Sequence, residues 1–128
     1  MNTPNKFRVW DVTNKKFLSQ SHFAILGNGK LIVSDSGHYI HFTNTNKEDY
    51  IVQEYTGLTD KNGNPIFEDD IVKWGDLNYL VEWNDIAYKW QGRCPYYHRY
   101  HHPTTENFRD LMNGVIVGNY FENNDLLK

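Results

Sequence analysis

Tyr55-Thr56-Gly57-Leu58-Thr59-Asp60-Lys61-Asn62-Gly63-Asn64-Pro65-Ile66-Phe67-Glu68-Asp69-Asp70-Ile71-Val72 is the stretch from which the fold can be read. Asn62-Gly63 is a strong hairpin signal, because both residues reach positive φ cheaply, as a two-residue turn matched to strand twist requires. Pro65 pushes Asn64 into an extended conformation, and Glu68-Asp69-Asp70 supplies turn chemistry just before the apolar Ile71-Val72. Turns at Asn62-Gly63 and at Asp69-Asp70 are thus expected to bracket a short edge segment.

Working outward toward the N-terminus, Phe7 and Val9 alternate with Arg8 and Trp10, as in a half-buried strand. Asn14-Lys15 reads as a turn, and Lys16-Phe17-Leu18 as a weak returning strand. Phe23-Ala24-Ile25-Leu26 and Lys30-Leu31-Ile32-Val33 flank Gly27-Asn28-Gly29, whose glycines suit a bulged hairpin loop. His38-Tyr39-Ile40-His41-Phe42 alternates again, and a polar run from Thr43 to Asp49 then marks a soft boundary. We therefore expect an N-terminal β subdomain over 1–49 and a second over 50–128. Toward the C-terminus, Tyr50-Ile51-Val52, Ile71-Val72-Lys73-Trp74, Tyr79-Leu80-Val81-Glu82-Trp83, Ala87-Tyr88-Lys89-Trp90 and Val115-Ile116-Val117-Gly118-Asn119-Tyr120 read as five short strands. Such spacing matches a small barrel that hides its edges. One short helix is expected, with Thr104-Thr105-Glu106 at its start, Phe108, Leu111 and Met112 at helical spacing, and Asn113-Gly114 as its stop.

Composition agrees with a mainly β chain. Of 128 residues, 16% are aromatic, and nine glycines fall between short apolar runs. Thirteen basic against sixteen acidic residues give a net charge of −3, which does not advertise nucleic-acid or membrane binding as a property of the whole chain. One cysteine, Cys94, excludes an internal disulfide framework, and Met1-Asn2-Thr3-Pro4-Asn5 carries no apolar signal core, so a cytoplasmic location is expected. No run reaches the roughly 20 apolar residues of a membrane helix.

Three separated blocks resemble the YopX family of phage and prophage proteins: Phe7-Arg8-Val9-Trp10-Asp11, the central stretch, and Val117-Gly118-Asn119-Tyr120-Phe121-Glu122-Asn123 followed by Asp125-Leu126-Leu127. Their order and spacing agree with that family. The resemblance implies an SH3-like barrel in the second half and a phage-encoded protein, and it supplies no catalytic residues to carry over. Glu54 stands where the family pattern has glutamine, Asp69 where it has glycine, and Asn124 where it has proline. Glycine at position 69 would suit positive φ before a strand, and aspartate is among the few other residues that tolerate it.

The densest set of ligating types is Cys94, His98, His101 and His102, which could offer nitrogen and sulfur to zinc. The spacing fits no known finger or ribbon, so a native metal site is not expected there. The same region carries Lys89, Arg93 and Arg99 among Trp90, Tyr96, Tyr97 and Tyr100, a composition found both in single-strand stacking platforms and at protein interfaces. Because the chain is net acidic, Trp90, Arg93, Tyr96, Tyr97, Arg99 and Tyr100 are read as an interaction surface, with nucleic acid the alternative. Glu68, Asp69 and Asp70 could suggest a magnesium site, but turns favour aspartate anyway, so Asn62, Gly63, Asp69 and Asp70 are read as structural turn residues. Trp74, Trp83 and Trp90 are assigned to packing in preference to a cation cage. His22, His38 and His41 have no paired nucleophile, and Gly27-Asn28-Gly29 lacks the lysine and helix of a phosphate loop. The expectation is a small interaction module acting by protein binding without catalysis, with a second copy of itself as partner and no cofactor, membrane or small-molecule substrate. A nucleic-acid accessory factor and a metal-dependent enzyme are the competing classes.

Overall fold

The computed structural model describes residues 6–35, 39–43, 49–95, 104–105 and 107–128. It is mainly β, and every strand pairing it contains is antiparallel. The chain divides into two units, Asn5–Glu54 and one containing Tyr55–Lys128.

In the first unit, β1 (Phe7–Asp11) and β2 (Lys16–Phe17) form a hairpin in which Trp10 faces Phe17. Asp11 builds its turn. One carboxylate oxygen accepts from the Thr13 and Asn14 N–H groups, both at 3.1 Å, and Lys15 takes φ 55°. A 3₁₀ helix at Gln20–His22 leads into β3 (Phe23–Ile25), β4 (Leu31–Asp35) and β5 (Tyr39–Thr43), which pair in the order β3-β4-β5. Gly29, at φ 85°, completes the bulged loop expected between β3 and β4, with the Leu26 N–H bonded to the Lys30 carbonyl at 2.8 Å. Val9, Leu31 and Val33 form the core of this unit, with Phe23, Ile25 and Val52 packed on it.

β6 (Tyr50–Thr59) is longer than the three residues the sequence suggests, because Gly57 takes φ 89° and absorbs a break in register. Tyr50 to Glu54 pair with β1, while Tyr55 and Thr59 pair with β7 (Pro65–Phe67), the expected edge segment. The intervening turn differs from the expected two-residue form. The Asp60 N–H bonds the Asn64 carbonyl at 2.8 Å, the Gly63 N–H bonds the Asp60 carbonyl at 3.0 Å, and only Gly63 has positive φ, at 82°. This is a three-residue loop ending in a left-handed glycine, and it forms because the Asp60 carboxylate gathers the Asn62 and Asn64 N–H groups, each at 2.9 Å.

β8 (Asp70–Trp74), β9 (Leu77–Asn84), β10 (Lys89–Arg93) and β11 (Val115–Asn119) pair in the order β10-β9-β8-β11. The SH3-like closure expected from the resemblance goes beyond these pairings. One group of core residues is Ile66, Val72, Val81 and Leu111, with Trp74, Tyr79 and Trp90 partly buried against it; a second is Ile71, Leu80 and Leu127. In β8 and β9 the two groups alternate residue by residue, so the strands bury side chains on both faces.

The short helix expected here forms, but it starts later than the threonines. The segment with Phe108 and Leu111 is a 3₁₀ helix, Phe108–Asn113, and its cap is Asn107, whose side-chain oxygen accepts from the Arg109 N–H at 3.0 Å. Thr104 instead bridges Arg93 as a strand would, and the Thr105 hydroxyl accepts from the Gly92 N–H at 3.1 Å. At the C-terminus β11 stops at Asn119, because its side chain accepts from Phe121 and Glu122 N–H groups, both at 3.0 Å, and starts α1 (Tyr120–Asn123). A 3₁₀ turn, Asn124–Leu127, brings Leu126 and Leu127 onto the second core group.

Candidate interaction surface

The β9–β10 hairpin positions the described part of the aromatic, basic region. Asn84 closes its tip by accepting the Ile86 and Ala87 N–H groups on one side-chain oxygen, both at 3.0 Å. The Asn84 amide then donates to Gln91 Oε1 at 3.0 Å, and Gln91 donates to Glu82 Oε1 at 2.8 Å. Arg93 joins the same carboxylate oxygen through Nε at 2.8 Å. This chain of partners crosses both strands and stiffens the hairpin. It also changes the reading of Arg93. The sequence around it holds no acid from Lys89 to Pro103, yet the fold brings Glu82 across from the neighbouring strand.

Beyond Asp85, the loop turns apolar where polar residues would be expected. Ile86 is 97% exposed, Tyr88 80% and Trp83 40%. The Trp83 ring lies 5.3 Å from Trp90 and 6.3 Å from Tyr88, nearly perpendicular to both. Trp90 and Trp74 are packed against buried side chains, as expected, while Trp83 carries an exposed face. Ala87-Tyr88 is not the start of a strand: Tyr88 has φ 54°, which ends the turn, and β10 begins at Lys89. A bulky residue held at positive φ is strained. The exposed set Trp83, Ile86 and Tyr88 was missed in the sequence; the available signal was two large apolar residues lodged directly after the turn pair Asn84-Asp85.

Of the predicted surface, Trp90 and Arg93 belong to this hairpin, whereas Tyr96, Tyr97, Arg99 and Tyr100 lie outside the described residues. The metal candidates separate similarly. Cys94 is a buried residue only 1% exposed, and His98, His101 and His102 lie outside the described residues. Among the described residues no group of three or more potential ligands forms.

Asp69 takes φ 68° at the position where the family pattern has glycine, and Asp70, 3% exposed, accepts the Phe67 N–H at 2.8 Å. Asp60, also buried, bonds the Ile116 N–H at 3.0 Å and so ties β11 to the turn. Burial alone would raise its pKa, but the N–H groups of Ile116, Asn64 and Asn62, aided by the Asn64 side chain, hold it below the ordinary 3.8.

The model of the YopX protein family matches residues 6–128. The chain belongs to the YopX family. For this YopX protein the structural neighbours include the crystal structure of protein EF1440 from Enterococcus faecalis, with a TM-score of 0.61 and 22% identity over 96% of this chain and 97% of that one. At that identity the likeness speaks for the fold. No curated protein matches the chain. Among the described residues no helix is long and apolar enough to cross a membrane.

Proposed function

We propose that this YopX protein is a phage-encoded interaction module that acts by binding protein, without catalysis, in the cytoplasm of the host, and that its first partner is a second copy of itself. The observation that carries this reading is the hairpin tip, where Trp83, Ile86 and Tyr88 meet solvent on a hydrogen-bonded, stiffened support. Trp and Tyr are the residue types that dominate interface energetics, and an exposed apolar patch on a well-ordered element favours a partner. In sequence the tip is followed by Trp90, Arg93, Tyr96, Tyr97, Arg99 and Tyr100, residue types of the same kind. A nucleic-acid role is less well supported, since Glu82 already engages Arg93.

Light scattering across a dilution series tests the proposal. A mass well above the 15.2 kDa monomer is expected in the micromolar range, falling when Ile86 becomes lysine or when Tyr96 and Tyr97 are replaced by alanine. A monomer at every concentration would refute self-association.

A further inference from the structure

We propose that the hairpin tip is self-complementary, so that in a twofold dimer Lys89 of the partner subunit seats against the Trp83–Tyr88 ring pair and beside Asp85. This deepens the binding role proposed above and rests on it. A twofold interface brings the same patch of both copies together, so a patch that recognises itself must carry both halves of each contact. The tip does. It holds two perpendicular rings with centroids 6.3 Å apart, one exposed carboxylate at Asp85 and one exposed ammonium at Lys89, all within seven residues. The nearby Glu82 and Arg93 are already joined to each other at 2.8 Å, whereas Asp85 and Lys89 have no ion pair among the described residues.

The rings suit a cation, because their negative faces attract an ammonium and the adjacent carboxylate adds to that pull. Tyr88 supplies an independent argument. Its φ of 54° is a conformation that asparagine or glycine would adopt with less strain, yet the position carries a large ring that is mostly solvent-exposed. Backbone strain of this kind marks positions kept for what the side chain does outside the fold.

Charge exchange provides the test, since every substituted side chain is exposed. Lys89→Glu places like charge against Asp85, and Asp85→Lys places like charge against Lys89; each variant alone should dimerise at least about tenfold more weakly than wild type. Mixed in equal amounts, the two variants restore opposite charge at both contacts, and light scattering should show a mass above that of either variant alone. Tyr88→Asn should weaken the dimer while leaving the melting temperature unchanged or raised. If both charge variants dimerise as wild type, if mixing restores nothing, or if Tyr88→Asn melts earlier, the inference is overturned while self-association by another contact stands. A wild-type protein that is monomeric throughout refutes both.

Discussion

Asp60 receives three backbone N–H groups on one buried carboxylate, two from its own turn and one from Ile116 fifty-six positions away. Its folded pKa lies below the unfolded value, so its contribution to stability is present at neutral pH and is lost as pH falls from about 5 through the ordinary 3.8 and below. Asp60→Asn should therefore cost about 1–3 kcal/mol at pH 7 and flatten the acid side of the stability profile, as chemical denaturation at several pH values would report. Equal losses at pH 3 and pH 7 would contradict the assignment. Gly63, three positions on, sits at φ 82° with no atom within 4 Å of where a Cβ would be. Gly63→Val thus meets backbone strain without a clash, and should destabilise by about 1–3 kcal/mol. An unchanged melting temperature would contradict the left-handed turn.

At the scale of elements, Gly114 ends the 3₁₀ helix beside β8, and a Cβ there would lie 2.5 Å from the Lys73 carbonyl oxygen and 2.8 Å from Val72 Cγ1. Gly114→Ala should cost about 1–3 kcal/mol by forcing that strand away. Gly27→Ala meets nothing within 4 Å and should stay within about 0.5 kcal/mol of wild type, so comparing the two by thermal melting isolates the packing effect. The strands themselves were legible because alternation of apolar and polar residues has only one regular reading, and Asp69 could be placed at positive φ because few side chains tolerate it. The turn at Asn62-Gly63 was legible as a reversal but not in its length, since the deciding group was the Asp60 carboxylate, whose bond to Ile116 depends on the tertiary fold. Phe108 and Leu111 at a spacing of three fit a 3₁₀ helix as well as an α-helix, so the spacing alone does not choose between them. Tyr88 was read into a strand because an aromatic beside Lys89 and Trp90 looks the same whether it is paired or strained. The Arg93–Glu82 contact was hidden for a related reason: it depends on the register of β9 against β10.

For the molecule as a whole, a net charge of −3 and the engagement of Arg93 by Glu82 leave little basis for strong nucleic-acid binding. We expect no submicromolar affinity for single strands at physiological salt, measured by fluorescence anisotropy, because three local cations release too few counterions. Tight binding that vanished when Lys89, Arg93 and Arg99 became alanine would reverse the functional reading. We propose that the β9–β10 hairpin is a protein-binding surface whose first partner is another copy. Amide hydrogen exchange, followed at one dilute and one concentrated condition, tests it most directly. Slower exchange is expected at high concentration in the hairpin from Trp83 to Arg93, with the N-terminal strands unchanged; identical exchange at both concentrations, or protection confined to another segment, would overturn the proposal.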